Sequence, residues 1–262
     1  MGYQTLTYQV DGLGIATIAL TVPEKRNAIS AQMILDLLGA LDQAEGESSV
    51  RVAIVTGSGK AFCAGMDLDE LQHIAKQTLQ KNLEDARRVT KLFSRLYNFP
   101  KPLIAAVNGA AIAGGCGIAT LADFTIAVPE AKFGYTEVKL GFMPALVSVF
   151  LRRRLGDRHV RDLLLTGRVI DAAEAYRIGL VTEVVVTESL MERAREIAHL
   201  LLQASPSAIA QTKKLLLGFE RAAVRAELEV AIEANADIRS SPDFREGVAA
   251  FLEKRTPKWG GA

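Results

Sequence analysis

The sequence predicts a mixed α/β fold, with buried strands in its first three quarters and helices in its last quarter. Short apolar and β-branched runs recur along the chain, and turn residues bound most of them. Amphipathic stretches with helical spacing lie between these runs. After about residue 195 the strand-like runs stop, and long helical stretches follow without a linker rich in Gly, Ser or Pro. We therefore expect a strand-rich body over residues 1–195, with residues 196–262 packed on it or on a neighbouring subunit.

Five runs are predicted to form strands because they are short, apolar and rich in β-branched residues. These runs are residues 15–20, 50–56, 103–107, 124–128 and 180–186. The first helix is expected after Ser30, whose hydroxyl suits an N-cap. Further helices are predicted at 68–97, as a polar pair, and at 191–204 and 219–238, with a break at Ser205-Pro206.

The charge balance excludes several classes of partner. Thirty-one basic and thirty acidic residues leave a net charge of +1, which gives no general attraction to nucleic acid or to an anionic membrane. No run of about 18 apolar residues predicts a membrane span, and the N-terminus lacks a signal-peptide run. Cys63 and Cys116 are far apart and form no CxxC motif, which favours a reducing, cytoplasmic location.

Neither the histidines nor the cysteines suggest a metal site or a nucleophile. The three histidines show no metal-ligand spacing among themselves or with cysteine, so we expect no metal. Cys116 lies in a glycine-rich turn, but no His or Asn is placed by the sequence to activate it. We expect Cys116 to be a small buried side chain.

Two segments rich in Gly and Ala follow predicted strands and precede predicted helices. Residues 60–68 read KAFCAGMDL, and residues 106–117 read AVNGAAIAGGCG. Small residues let a ligand approach the backbone, and the start of a helix has free N–H donors with a favourable dipole. Two such donors that converge on one oxygen stabilise an oxyanion. Either segment alone is equally typical of an ordinary tight turn.

Together, AFCAGMDL and AAVNGAAIAGGCGIATLAD resemble the two signature segments of the crotonase (enoyl-CoA hydratase/isomerase) superfamily, in the same order and at a similar separation. PEKRNA at 23–28 resembles its N-terminal loop beside the CoA nucleotide, and FLEKR at 251–255 resembles its C-terminal tail. The resemblance implies a spiral of repeated ββα units over 1–195, which binds a CoA thioester. It implies a helical region over 196–262 that assembles a homotrimer or a dimer of trimers. It also implies acyl-CoA substrates, with no cofactor beyond the CoA that the substrate brings.

The resemblance assigns site residues. The implied oxyanion donors are the backbone N–H groups of Met66 and Gly114, and the implied acid/base is Glu137. Residues expected beside the substrate and CoA are Lys25, Arg26, Ala28, Ala64, Met66, Asp67, Leu68, Gly114 and Lys254. The three cations of this set are candidates to contact CoA phosphates, and a solvated surface role suits each of them equally.

The sequence departs from the hydratase pattern at one catalytic position. Hydratases that it resembles usually carry two glutamates, and the first of them falls on Gly117. Glu137 then activates water alone or with help from Tyr135, Thr136 or a carboxylate of the substrate, or it moves a proton between carbons as in the isomerases. We expect Gly117 to leave room for a bulky acyl group. Phe142, Met143 and Leu146 are candidate walls of that pocket, or plain core residues.

We therefore expect an enoyl-CoA hydratase, a lyase of fatty acid metabolism that adds water to a 2-enoyl-CoA. An enoyl-CoA double-bond isomerase is the first alternative, because one glutamate suffices for that reaction. A catalytically weak acyl-CoA-binding protein is an alternative of another class.

Overall fold

The structure, a computed structural model, describes residues 2–260, apart from the side chain of Leu68. The strands of the described chain are β1 (Leu6–Val10), β2 (Ile15–Leu20), β3 (Val52–Gly57), β4 (Ala61–Cys63), β5 (Leu103–Val107), β6 (Ala110–Ile112), β7 (Phe124–Ala127), β8 (Lys132–Gly134), β9 (Val169–Asp171) and β10 (Glu183–Val184). Its α-helices are α1 (Ala31–Gly46), α2 (Leu68–Ile74), α3 (Leu79–Tyr97), α4 (Gly114–Leu121), α5 (Ala145–Leu151), α6 (Asp157–Thr166), α7 (Ala172–Arg177), α8 (Leu190–Leu202), α9 (Pro206–Gly218), α10 (Arg221–Ile238) and α11 (Pro242–Leu252).

Two sheets stack through a repeated strand–strand–helix unit. The larger sheet has the order β1-β2-β3-β5-β7-β10, and the smaller has the order β4-β6-β8-β9. The strands β3, β5 and β7 lie in the larger sheet, and each is followed at once by a strand of the smaller sheet. Helical segments then return the chain to the larger sheet, and the strands within each layer run parallel from one unit to the next. This arrangement confirms the predicted spiral of ββα units.

Most predicted strands are present. The runs at 15–20 and 103–107 form β2 and β5, and the runs at 50–56 and 124–128 form β3 and β7 within two residues. The prediction at 180–186 is wrong over most of its length, since only Glu183–Val184 is a strand. The N–H groups of Leu180 and Val181 both donate to the carbonyl of Ala175, at 2.8 and 3.1 Å. Those two buried residues therefore close the end of α7 in a turn.

The predicted helices are confirmed, and the described part of the chain has five further helices that were not predicted from the sequence: α5, α6, α7, α9 and α11. Ser30 caps α1, because its side chain accepts a hydrogen bond from the N–H of Met33. The polar stretch at 68–97 forms the pair α2 and α3, and α8 and α10 match the two C-terminal predictions. An additional helix, α9, begins at Pro206, where the sequence predicted a break. No helix of the described chain is both long and apolar enough to cross a membrane.

The C-terminal helices pack on the body of their own chain. Helix α8 contacts β3, β5 and β7 of the larger sheet, and α10 lies along α3 and α5. Helix α11 packs against the 3-10 turn at Glu137–Leu140. The region assigned to assembly therefore also borders the centre of the molecule, next to the predicted acid.

Candidate active site

The two glycine-rich segments are locked together by contacts that admit no side chain. Strands β4 and β6 pair in parallel, with Ala61 opposite Ala110. A Cβ atom at Gly65, which has a φ of +88°, would lie 2.9 Å from the carbonyl oxygen of Ile112. A Cβ atom at Gly115 would lie 2.2 Å from the carbonyl oxygen of Cys63. The ends of β4 and β6 approach this closely because both positions are glycine.

The N–H of Met66 is turned away from the neighbouring chain segment. The N–H of Ile29 donates to the carbonyl of Gly65 at 2.7 Å, and the N–H of Asp67 donates to the carbonyl of Ile29 at 3.0 Å. In such a parallel bridge the residue between these two partners directs its own N–H to the opposite side. Met66 also lines a cavity with mostly apolar walls, so the assignment of its N–H as an oxyanion donor stays a prediction that this geometry allows.

The second predicted donor, Gly114, is the first residue of α4. Ala113 before it has a φ of 50°, which is unusual for a residue with a side chain, and its N–H donates to the carbonyl of Gly134 at 2.7 Å. The first intrahelical bond runs from the N–H of Gly117 to the carbonyl of Ala113. The N–H of Gly114 is thus among the unsatisfied donors of a helix start, and Gly114 lines the same cavity as Met66.

The cavity has a volume of about 450 Å³ and mostly apolar walls. Phe142, Met143 and Leu146 all line it, and Leu146 is also part of the buried core. Ala64 lines it beside Met66. The size and lining are those of a site for a small organic group.

Glu137 is a buried carboxyl in the wall of this cavity. It is 8% exposed and begins the 3-10 turn Glu137–Leu140. Its Oε2 atom is buried without a hydrogen-bond partner. Burial away from water raises the pKa of this carboxyl to about 7 from an ordinary value of 4.5. A carboxyl with such a pKa exchanges protons readily near neutral pH.

The space beside Gly117 is filled by apolar side chains. A Cβ atom at Gly117 would lie 2.8 Å from Cγ1 of Val147 and 3.3 Å from Cζ of Phe93. The expected room for a bulky acyl group at this position is therefore wrong. Val147 and Phe93 themselves line the cavity. The position where the resembled hydratases carry their first glutamate is therefore surrounded by apolar side chains in this chain.

The neighbours of Glu137 in sequence differ in their access to the cavity. Tyr135 is fully buried, and its hydroxyl shares a 2.7 Å hydrogen bond with Oγ1 of Thr120. Thr136 lines the cavity, so it is the one of the two suggested helpers that faces a ligand. Cys116 is buried, as the sequence predicted, and burial raises the pKa of its thiol to about 12.

The predicted CoA-contact loop is held against the first signature segment. The Nζ atom of Lys25 lies 2.9 Å from a carboxylate oxygen of Asp67 and 2.9 Å from one of Asp69. Asp67 also caps α2, since its side chain accepts from the N–H of Asp69. The carbonyl of Arg26 accepts from the N–H of Ala64 at 3.0 Å. Lys25 is therefore paired with two carboxylates, and Asp67 supports the turn after Met66.

The remaining predicted contacts are spread over the surface and the core. Ala28 is buried at the end of the loop, and its N–H donates to the carbonyl of Lys25. Lys254 is exposed in the C-terminal tail, while its neighbour Arg255 lines the cavity. The side chain of Leu68, also predicted to contact CoA, lies outside the described residues.

Three polar residues of the site region were not identified from the sequence. Asn27 is fully buried and donates to the carbonyls of Ser58 and Ala61, which anchors the CoA-contact loop. Asn235 and Arg239 of the α10 end line the cavity and are both buried. The sequence feature that could have identified Asn235 and Arg239 is their spacing. They continue the apolar stripe of α10 on the face that contains Leu228 and Ile232.

Among the described side chains, no group of three or more His, Cys, Asp or Glu is placed to hold a metal ion. The cavity wall contains one carboxyl of raised pKa, Glu137, and the residues of the two predicted backbone donors, Met66 and Gly114. Such a set can stabilise a negatively charged oxygen while a proton moves at a neighbouring atom.

Comparisons with known proteins agree with this geometry. The sequence model of a family described as "Enoyl-CoA hydratase/isomerase" matches residues 11–262. A Thermus thermophilus protein whose name refers to enoyl-CoA hydratase is 41% identical over 251 residues, which are 96% of this chain and 99% of that protein. A 2,3-dehydroadipyl-CoA hydratase of Escherichia coli is 34% identical over 94% of this chain and 95% of its own.

Solved structures share the whole architecture. The crystal structure of an enoyl-CoA hydratase/isomerase from Xanthobacter autotrophicus superposes with a TM-score of 0.89. Its sequence is 31% identical to this chain, and the match covers 97% of this chain and 98% of that one. The likeness therefore extends over the spiral body and the C-terminal helices alike.

Proposed function

Because the chain belongs to the enoyl-CoA hydratase/isomerase family, we propose that it adds water to the double bond of a 2-enoyl-CoA thioester. The observation that supports this most directly is the buried Glu137, whose unpartnered Oε2 lies in the wall of the cavity that Met66 and Gly114 also line. Names of related proteins, such as the short-chain-enoyl-CoA hydratase of Clostridium acetobutylicum at 34% identity, agree with a hydratase.

In the proposed reaction the thioester carbonyl oxygen accepts hydrogen bonds from the N–H groups of Met66 and Gly114. These donors stabilise the negative charge that develops on that oxygen, and they work best where water is excluded. Backbone donors of this kind do not depend on the side chain at either position. The apolar walls of the cavity hold the acyl chain and strengthen the electrostatic effect.

Ionised Glu137 takes a proton from a water molecule while the oxygen of that water forms a bond to C3 of the enoyl group. The electron pair of the double bond moves towards the thioester and gives an enolate, whose oxygen the two N–H groups hold. The carboxyl of Glu137 then returns the same proton to C2. The product is a 3-hydroxyacyl-CoA, and the carboxylate is restored. A pKa of about 7 suits both steps at neutral pH.

A second candidate, double-bond isomerisation, is favoured by one specific observation. Gly117 stands where the resembled hydratases carry the first of their two glutamates. It faces apolar groups of Val147 and Phe93, which do not hold a water molecule. In an isomerase Glu137 removes a proton from C2 of a 3-enoyl-CoA and returns it to C4. The same oxyanion donors stabilise the intermediate dienolate in that reaction.

Mass-resolved turnover of a short and a branched 2-enoyl-CoA separates the two candidates. For a hydratase we expect the mass of one water to be added, with kcat/KM at least about 100-fold lower in Glu137→Gln. Conversion of a 3-enoyl-CoA to its 2-enoyl isomer without added water would instead establish the isomerase. Retained CoA-thioester binding without either reaction would support the acyl-CoA-binding alternative.

We also propose that the chain assembles as a homotrimer or a dimer of trimers. Several large apolar side chains of the C-terminal region are exposed on this single chain, which is typical of a surface that another subunit covers. They are Leu215, Leu216, Phe219 and Val230.

A further inference from the structure

The cavity has a polar end that the proposed reaction does not use. Arg239 lines it with a side chain that is 1% exposed, and Asn235 lies one turn earlier on the same helix. The other cations of the lining, Lys139 and Arg255, are exposed. Among the described lining residues, Arg239 is thus the cation that is held deep in the protein.

Both of these polar groups have unsatisfied hydrogen-bonding atoms. The Nε atom of Arg239 and the Oδ1 atom of Asn235 are buried without a partner. A buried donor or acceptor without a partner costs about 1–3 kcal/mol, and more when it is charged. Proteins keep such groups where a ligand or an ordered water satisfies them. An ion pair that already satisfies one edge of a guanidinium gives no structural reason for its other edge to be buried without a partner.

The geometry of Arg239 leaves one edge for an anion. Its Nη1 atom donates to Oδ2 of Asp85 at 2.7 Å, while Arg88 donates to the other oxygen of Asp85 at 2.5 Å. Two cations therefore share one carboxylate, and the cluster retains a net positive charge. The guanidinium lies 5.7 Å from the ring centre of Phe142. The edge formed by Nε and Nη2 suits the two oxygens of a carboxylate.

We propose that this pair, Arg239 and Asn235, binds a carboxylate at the far end of the acyl group, so that thioesters of medium-chain dicarboxylic acids are the preferred substrates. The inference rests on the proposed CoA-thioester function. Asn235 lines the same cavity one turn before Arg239, and its side-chain amide carries N–H donors for the same carboxylate.

The span from the reacting centre to Arg239 fits a medium chain. A Cβ atom at Gly114 would lie 3.7 Å from Cζ of Phe93, so Phe93 marks the thioester end of the cavity. Asp85, which holds Arg239, precedes Phe93 by about two turns of α3, roughly 12 Å along the helix axis. The walls between these points are apolar, as they must be for a methylene chain.

Calorimetric titration of the full chain with two saturated thioesters tests the proposal. Octanoyl-CoA and its counterpart with a terminal carboxylate, octanedioyl-CoA, have the same length and cannot be hydrated. We expect the wild type to bind octanedioyl-CoA at least 10-fold more tightly. Equal affinity, or tighter binding of octanoyl-CoA, would overturn the proposal. If neither thioester binds, the proposed CoA-thioester function itself fails, which is a distinct outcome.

Variants separate ligand binding from a purely structural ion pair. We expect the double variant Arg239→Met, Asp85→Asn, which leaves no unpaired buried charge between them, to lose the preference for octanedioyl-CoA. Asn235→Leu, which keeps the ion pair, should reduce the preference several-fold. Lys139→Met is the matched control, because it removes an exposed cation of the same cavity and should leave the ratio of the two affinities unchanged. A preference that survives both the double variant and Asn235→Leu would show that Arg239 only ties α10 to α3.

Discussion

At the scale of single residues, the burial of Glu137 makes the activity dependent on pH. Its pKa is raised to about 7 because the carboxyl is removed from water. In the proposed hydration the free enzyme needs the ionised form. We therefore expect kcat/KM to fall about 10-fold per pH unit below pH 7, in assays from pH 5 to 9. A rate that stays constant down to pH 5 would contradict the assignment of Glu137 as the base.

The same shift makes stability depend on pH. The folded state of the protein binds the Glu137 proton more tightly than the unfolded state does. The stabilising contribution of this carboxyl to the free energy of unfolding is therefore fully present below about pH 4.5. That contribution is lost as the pH rises through about 7, and it amounts to about 3 kcal/mol. We expect urea unfolding at pH 5 and pH 8 to show a larger loss of stability for the wild type than for Glu137→Gln. Parallel losses in the two proteins would exclude a raised pKa.

Gly117 is a further position where the addition of one carbon atom is expected to change the free energy of unfolding. In Gly117→Ala the new Cβ atom meets Val147 at 2.8 Å, so we expect a loss of about 1–3 kcal/mol in unfolding free energy. Adding Val147→Ala should recover part of that loss, since it removes the contact. Gly46→Ala is the control, because nothing lies within 4 Å of its Cβ position at the end of α1. A Gly117→Ala protein as stable as the Gly46→Ala protein would contradict this account of the packing.

The sequence was sufficient to locate the residues whose signal is local. Glu137, Met66 and Gly114 lie in recognisable segments, and all three line the cavity. Arg239 was missed because its place in the cavity depends on how α10 packs along α3, far away in sequence. The filling beside Gly117 was missed for the same reason, since Val147 reaches it from a different helix.

At the scale of elements, the contact between β4 and the start of α4 positions both of the proposed oxyanion donors. In Gly115→Ala the Cβ atom would stand 2.2 Å from the backbone carbonyl of Cys63, which no side-chain rotation relieves. We expect the two segments to separate and kcat to fall at least about 100-fold, as on loss of an oxyanion donor. Steady-state kinetics beside Gly46→Ala checks this, together with circular dichroism to verify folding. Unchanged kcat in Gly115→Ala would show that the donors do not depend on this contact.

Element lengths explain which strands the sequence predicted. Strands β2, β3 and β5, with five or six residues each, were found because each shows an apolar run. Strand β1 also has five residues, but its buried and half-buried positions alternate with exposed ones, and it was not predicted from the sequence. The strands of the smaller sheet have three residues each, which is too short for a period to be read. They are defined instead by pairing, parallel among β4, β6 and β8 and antiparallel between β8 and β9, which sequence patterns do not display.

At the scale of the whole molecule, the exposed apolar side chains of the C-terminal helices predict an assembly. We expect light scattering to give a mass of three or six chains of 28.3 kDa. Phe219→Lys, at a side chain 73% exposed, should shift the mass towards the monomer because a lysine does not fit a buried contact. Leu13→Lys, equally apolar and exposed in the turn between β1 and β2, is the control. A wild-type monomer would contradict the proposed assembly.

Among the described residues of the cavity wall, Glu137 is the one with a carboxyl, and this has a stereochemical consequence for the proposed hydration. Glu137 approaches the flat enoyl group from one face, and it both activates the water and returns the proton. The hydroxyl at C3 and the new hydrogen at C2 must then enter from that same face, which is a syn addition. In deuterated water the product would carry deuterium at one of the two prochiral positions of C2, on the side of the hydroxyl.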